Sequence, residues 1–136
     1  METKEIITTY TEKVPEAILS PYRITDDADF AVAFVLKQIG LSGHVQGYYY
    51  LKRAIRITVN NPEEAQLITK VVYPAVAKEF KTSIANVEKA IRVCVKKINC
   101  SDETKLAYIG WVSNSYTNKQ VIASIAELIS MNLANK

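Results

Sequence analysis

Basic side chains are concentrated between residues 84 and 98. Four residues of this segment are basic: Lys89, Arg92, Lys96 and Lys97. Its single acid is Glu88, so the segment carries the same net charge as the whole chain, +3. Such a density of cations favours binding to a polyanion, because each Lys or Arg that neutralises a phosphate releases a counterion. A solvated helix face has a similar composition, so the spacing of the apolar residues must be considered next.

Apolar residues in the same segment recur at the spacing of one helix face. Ile84, Val87, Ile91, Cys94 and Ile98 are separated by three, four, three and four positions. This pattern predicts an amphipathic helix over Ile84 to Ile98 with these residues pointing inward, and Thr82 or Ser83 can cap its first turn. The opposite side of the helix then displays the basic residues.

A second helix is predicted immediately before this one, from Pro74 through Phe80. The connection, Lys81-Thr82-Ser83, has the length at which two helices meet steeply in a helix-turn-helix unit. Ala77 is the small residue that permits close approach, and Val87 is the apolar contact from the second helix. Lys81 stands where glycine is commonest in this motif, which predicts a less tightly wound turn. In such a unit the second helix enters the major groove of DNA.

The rest of the chain predicts a compact all-α domain of six or seven helices, residues 27–136, without a sheet. The other helices are expected from Asp27 to Ile39, Tyr48 to Val59, Pro62 to Tyr73, Asp102 to Tyr108, and after Thr117. Asp26 or Asp27, Asn61 and Thr117 are the expected N-caps. The first helix is apolar on nearly every side, which places it in the centre of a bundle. Residues 1–26 show no sustained period and form a lead-in to which we assign no regular structure.

Several functional classes find no support in the sequence. The single histidine, His44, and the two cysteines, Cys94 and Cys100, lack the spacing of a zinc site, and the cysteines are best explained as small buried hydrophobes. Neither a catalytic triad nor a glycine-rich phosphate loop is present, so we expect no enzyme, cofactor, metal or small-molecule substrate. We also expect no membrane segment, because no apolar run is long enough, and a cytoplasmic location is the simplest expectation.

Residues from 39 to 92 follow the order and spacing of a known family. They are Ile39-Gly40, His44, Gly47-Tyr48, Tyr50-Leu51, Ala54-Ile55, Ile68-Thr69-Lys70-Val71, Tyr73-Pro74, Ala77-Lys78, Phe80, Thr82, Val87-Glu88 and Ala90-Ile91-Arg92. Through these residues the chain resembles the C-terminal DNA-binding domain of the sporulation-initiation master response regulator of endospore-forming bacteria. The resemblance covers about residues 28 to 136 and returns weakly at Thr117-Asn118.

This resemblance implies a six-helix domain that binds short promoter boxes in double-stranded DNA, often as tandem or paired copies, to activate or repress transcription. The DNA-facing positions of the family correspond here to five base-reading candidates: Asn86, Glu88, Lys89, Arg92 and Val93. Phosphate contacts are expected from Lys96, Lys97 and Ser83. Lys52 and Arg56, on the helix that begins at Tyr48, could add further phosphate contacts, although a solvated helix face is the simpler explanation for them.

The chain also departs from the family. Asn86 and Lys89 stand where that regulator carries arginines, Val93 replaces a histidine, and the loop from Ser113 to Tyr116 lacks the lysines that meet the DNA backbone. Arginine binds a guanine edge with two hydrogen bonds, whereas asparagine pairs with adenine, so we expect a different preferred box. The lost cations leave an alternative open: a protein-interaction module that keeps the fold and modulates another regulator without binding DNA tightly.

The family regulator further carries an N-terminal receiver domain that is phosphorylated. Residues 1–27 precede the resemblance in this chain, fewer than the ~50 residues of a minimal domain. From the sequence we therefore expect a stand-alone, divergent relative without a receiver. Acids at the start of a helix explain Asp26, Asp27 and Asp29, so we do not interpret them as a phosphorylation pocket.

Overall fold

The structure, a computed structural model, describes residues 27–134, so the predicted lead-in, residues 1–26, lies outside the described range. Within that range the chain forms six α-helices and no strand, which confirms the all-α prediction. In chain order the helices are α1 (Asp27–Gln38), α2 (Tyr48–Asn60), α3 (Tyr73–Glu79), α4 (Ile84–Val95), α5 (Asp102–Tyr108) and α6 (Asn118–Ala134).

Helices α1 and α2 form the centre of the fold. Helix α1 is buried on most sides, as its apolar composition predicts, with Val32, Val35 and Leu36 fully inaccessible. It packs against α2 and α6. Helix α2 is amphipathic and contacts α1, α3, α4 and α6. It therefore packs against both helices of the helix-turn-helix unit, α3 and α4.

The segment between α2 and α3 differs from the regular helix that the sequence predicts. Residues Pro62–Leu67 form a 3₁₀-helix and Ile68–Val72 a π-helix, which runs into α3 at Tyr73 without a break at Pro74. Pro74 has no N–H to donate to the carbonyl of Lys70, and the wider π turn, closed by the Tyr73 N–H on Ile68 O, accommodates that missing bond.

Asn61 does not cap the helical segment that follows it, contrary to the sequence prediction. Its side chain makes no capping hydrogen bond to that segment. Instead, Nδ2 donates to Ile57 O at 3.1 Å, and the Asn61 backbone N–H donates to the carbonyls of Ile57 and Thr58. Asn61 therefore satisfies the last carbonyls of α2, which would otherwise lack a partner.

Helix α6 closes the domain against α2 and begins at the predicted cap. Thr117 Oγ1 accepts a hydrogen bond from the Gln120 N–H at 3.1 Å, and Gln120 Oε1 accepts one from the Thr117 N–H at 2.9 Å. This reciprocal pair is a capping box. The predicted inward residues are buried, with Leu128 only partly so: Val121, Ile122, Ile125 and Ile129. No helix between residues 27 and 134 combines the length and hydropathy of a membrane span.

Candidate nucleic-acid interface

Helices α3 and α4 form the predicted helix-turn-helix unit. The two helices pack against each other, and Ala77 of α3 and Val87 of α4 are both buried, as the spacing of small and apolar residues predicts. Arg53 of α2 supports the end of α3, since its Nε lies 2.7 Å from Glu79 Oε1. Tyr50, one turn earlier on α2, packs edge-on against Phe80 with ring centroids 5.0 Å apart.

The turn between α3 and α4 is tightly wound, so the expectation drawn from Lys81 is wrong. Lys81 adopts a φ of +55°, in the left-handed region that glycine usually occupies. The Thr82 N–H donates to Ala77 O at 2.9 Å, and the Lys81 N–H donates to Lys78 O at 3.3 Å. These two bonds define a Schellman turn. Lysine thus keeps the turn geometry, with the backbone strain that a Cβ atom introduces there.

Helix α4 begins where the sequence predicts and ends earlier. Ser83 is the cap, because its Oγ accepts from the Asn86 N–H at 3.0 Å. The helix stops at Val95 instead of Ile98, and the backbone amides of residues 96 to 98 close its last turn on nearby carbonyls. The Asn99 N–H then donates to Ile39 O at 3.0 Å, so the chain after α4 pairs with the residue that follows α1 instead of continuing α4.

The inner face of α4 matches the prediction at three positions and fails at its first residue. Val87, Ile91 and Cys94 are fully inaccessible. Ile84 was predicted to point inward and is 45% exposed, and its neighbours Ala85 and Asn86 in the first turn of α4 are exposed as well, so this turn lies outside the core. Burial raises the pKa of the Cys94 thiol to about 11, so Cys94 behaves as the small hydrophobe expected from the sequence.

Gly47 fixes the distance between α2 and the middle of α4. A Cβ atom at Gly47 would lie 2.0 Å from Ala90 O, so the two backbones approach more closely than any side chain would allow. Gly47 also has a φ of +85°, which other residues rarely adopt. The sequence pattern contained this glycine only as part of the family resemblance and did not predict the contact.

The outer face of α4 presents the five base-reading candidates together. Asn86, Lys89 and Arg92 are exposed, and Glu88 and Val93 are partly exposed beside them. Arg92 Nη1 lies 2.6 Å from Glu88 Oε1, one turn earlier on the same helix. Asn86 Nδ2 donates to Thr82 Oγ1 at 3.0 Å. Asn86, Glu88 and Arg92 therefore each have a hydrogen-bonding partner on the same surface.

Asn118, at the start of α6, connects α4 to the core, and the sequence had pointed to it only through the family resemblance at Thr117-Asn118. It is buried, and its Nδ2 donates to Tyr73 Oη and to Glu88 O, both at 3.1 Å. Burial raises the pKa of Tyr73, against a smaller lowering by the Asn118 hydrogen bond, so the phenol remains protonated. The contact joins residues far apart in sequence, which explains why local patterns gave no signal for it.

The candidate phosphate contacts occupy different environments. Lys96 and Lys97 are exposed directly after α4, and Ser83 is exposed at its start. Lys52 is partly exposed on α2. Arg56 is mostly buried, with 16% of its side chain exposed, and its Nε lies 3.0 Å from Asp29 Oδ1 of α1. The structure therefore assigns Arg56 to the packing of α1 on α2.

The described geometry is that of a helix-turn-helix whose second helix packs one face against three other helices, α2, α3 and α6, and leaves the opposite face exposed. A comparison with known protein families agrees with this architecture: the model of the family described as "Sporulation initiation factor Spo0A C terminal" matches residues 32–129. That match runs from within α1 into α6 and includes the whole of α2, α3, α4 and α5. The family comprises DNA-binding domains of transcription regulators and is not an enzyme family. The chain belongs to the family of the sporulation initiation factor Spo0A C-terminal domain.

Proposed function

We propose that this chain is a sequence-specific transcription regulator that inserts α4 into the major groove of double-stranded DNA. The observation that carries the proposal is the outer face of α4, where Asn86, Lys89 and Arg92 are exposed on a helix whose opposite face is packed into the core. A helix held in this way can present side chains to base edges at a fixed height, which direct readout requires.

Arg92 is the residue with the clearest reading geometry. Glu88 engages Nη1 of the guanidinium, which leaves the edge formed by Nε and Nη2 for the O6 and N7 atoms of a guanine. The second carboxylate oxygen of Glu88 can accept from the N4 amino group of a cytosine. Lys89 and Val93 lie on the same surface and complete the proposed base-reading set with Asn86.

Backbone phosphates are the proposed partners of Lys96, Lys97 and Ser83, which flank the base-reading face at its two ends. Lys52 remains a further candidate on α2. It lies about 100° around that helix from Arg53, whose contact with Glu79 marks the side that faces α3. We leave Arg56 out of the proposed contacts, because its guanidinium forms an ion pair with Asp29 and its side chain is mostly buried.

Two single substitutions test this division of labour. Arg92→Ala should relax sequence preference, with an affinity loss of about 1 to 3 kcal/mol on the preferred box and a smaller loss elsewhere. Lys97→Ala should weaken binding to all duplexes alike and reduce the slope of log Kd against log salt by about 0.9. Fluorescence titrations at several salt concentrations measure both quantities. If neither substitution alters binding to any duplex, insertion of α4 is the wrong model.

The preferred box tests the role of Asn86. Selection from a random duplex pool should return a site that favours adenine opposite Asn86, since asparagine pairs with the N6 and N7 atoms of adenine. The matched variant Asn86→Arg should move that position to guanine and leave the rest of the site unchanged. An identical site from both proteins would show that Asn86 does not read a base.

Binding to random duplexes separates this proposal from the protein-interaction alternative. In a mobility-shift measurement at ~50 mM salt, phosphate-driven binding should be strong and should fall steeply as salt is added. A chain that modulates another regulator without DNA contact would show no shift. Duplexes with one and with two copies of the selected box, compared by stoichiometry and affinity, would then show whether the domain binds as tandem or paired copies.

A further inference from the structure

A small polar pocket lies beyond the end of α4. It has a volume of about 90 Å³ and is enclosed by the residues that follow α4, by α5, and by the loop from Ser113 to Tyr116. Its polar lining consists of Lys96, Lys105, Ser113, Asn114, Ser115 and Tyr116. All residues that line this pocket belong to the described part of the chain, and none of them is an acid. Two cations and several neutral donors therefore converge on one concavity.

The loop that forms one wall of this pocket is held in shape by its own side chains. Tyr116 Oη donates to Trp111 O at 2.6 Å and accepts from the Ser113 N–H at 3.1 Å. Ser113 Oγ donates to Ser115 O at 2.8 Å and accepts from the Ser115 N–H at 3.1 Å. The rings of Trp111 and Tyr116 pack edge to face with centroids 5.5 Å apart. The pocket wall is thus formed in advance of any ligand.

Lys105 brings a cation from α5 to this loop. Its Nζ donates to Ser113 O at 3.1 Å, in a partly buried position. An ammonium group has three N–H donors, so two remain for a ligand after this bond. Lys105 forms no ion pair with a carboxylate between residues 27 and 134. Asp102 lies one turn earlier on α5 and forms no ion pair with Lys105.

The pocket lies where the proposed complex would place DNA backbone. Helix α4 has 12 residues and is therefore about 18 Å long, which exceeds the ~12 Å width of the major groove. With the first turns at the base edges, the end of α4 and the following Lys96 reach the edge of the groove, where phosphates lie. An anion at this point would also offset the concentration of positive charge from Lys96 and Lys105.

We propose that this pocket binds one backbone phosphate of the DNA duplex, with Lys105 and Lys96 as cationic ligands and the Ser113 to Ser115 loop as neutral ligands. The proposal rests on the proposed function of α4. It also gives the loop a source of positive charge that the sequence of the loop itself lacks, because the charge comes from α5 through the contact between Lys105 Nζ and Ser113 O.

The test is the salt dependence of binding to the selected duplex. Lys105→Gln should reduce the slope of log Kd against log salt by about 0.9, the value for one phosphate, and should leave the selected box unchanged. Lys105→Arg keeps the charge and should keep the slope. Lys70→Gln removes one exposed charge from the π-helical segment, away from this pocket, and should have no effect on the slope. Thermal melting of each variant shows whether it remains folded.

The outcomes separate this site from the function of α4. If the wild type binds the duplex and Lys105→Gln leaves the slope unchanged, the pocket does not bind a phosphate and the proposal is overturned, whereas α4 insertion stands. If no duplex binds, the proposed function fails. The pocket is then judged by NMR titration with inorganic phosphate alone. Shifts of the Ser113 to Ser115 amides that vanish in Lys105→Gln would support an anion site, and unchanged spectra would overturn it.

Discussion

The inner and outer faces of α4 differ in solvent exposure, polarity and packing although they belong to one helix. The inner face, Val87, Ile91 and Cys94, is inaccessible to solvent and packs into the core. The outer face, Asn86, Lys89 and Arg92, is exposed and contacts only neighbours on the same surface. Folding stability and the proposed sequence preference therefore depend on different residues, so we expect that either property can be changed with little effect on the other.

Ile91→Ala should give the largest effect and would sharpen this comparison. Removing a fully buried Ile side chain should lower the free energy of unfolding by about 2 to 5 kcal/mol, because a cavity remains. Arg92→Ala, the next residue in sequence, is the matched control and should change it by no more than about 0.5 kcal/mol, since its ion pair is exposed. Urea denaturation measures both. Equal losses would contradict the separation of the two faces.

Cys94 offers a chemical probe of the inner face. Its pKa of about 11, against an ordinary value of 9.0, should make it roughly 100-fold less reactive toward an alkylating reagent near neutral pH, because only the thiolate reacts. The folded state holds the proton that the unfolded state releases, so stability should decline as the pH rises from about 9 through 11. Mass spectrometry after timed labelling measures the reactivity. Cys94→Ala lacks this thiol, so its free energy of unfolding should not show the decline above about pH 9. Labelling of native Cys94 at the rate of a free thiol would contradict burial.

The cap at Ser83 lies on the border between the two faces. Ser83→Ala removes the acceptor for the Asn86 N–H and should lower the free energy of unfolding by about 1 kcal/mol. Ser83→Thr retains the hydroxyl and should lose less. Because Asn86 is a proposed base reader, amide exchange at Asn86 should also rise in the alanine variant. Unchanged stability and exchange would mean that the cap is formed by another group.

The smallest expected effect belongs to the turn that leads into α4. Lys81→Gly should raise the free energy of unfolding by about 0.5 kcal/mol, because relief of the left-handed strain exceeds the entropy that glycine loses on folding. Lys78→Gly, inside α3, is the control and should lower it by about 1 kcal/mol. Thermal melts resolve changes of this size. A loss of stability in Lys81→Gly would show that the lysine side chain contributes more than its backbone costs.

Local periodicity predicted the fold class, the positions of the six described α-helices and three of the packed positions of α4, because an apolar stripe and a cap are properties of neighbouring residues. It failed where distant residues decide the outcome. The end of α4 depends on the bond from Asn99 to Ile39, and the role of Arg56 depends on Asp29 of another helix. The π turn before α3 follows from Pro74, whose missing N–H was interpreted as a helix start.

The candidate site was predicted in part. The outer face of α4 followed from helical spacing together with the family resemblance. Lys105 had no signal in the sequence, and Asn118 appeared there only through the family resemblance at Thr117-Asn118, since each acts through a hydrogen bond to a separate element. The interpretation of the Ser113 to Tyr116 loop was limited for the same reason: the cation that serves it belongs to α5, and only the three-dimensional arrangement reveals the pairing.

The contact at Gly47 has a consequence for protein engineering. The backbones of α2 and α4 are in contact at Gly47 with no side chain between them, so α4 cannot move closer to α2. Any larger residue at position 47 would push α4 away from α2. The distance of α4 from the core should therefore stay constant when its exposed side chains are changed. On the proposed function, libraries that vary only the exposed positions of α4 should change the preferred DNA sequence without changing the fold, provided that Gly47 is left in place.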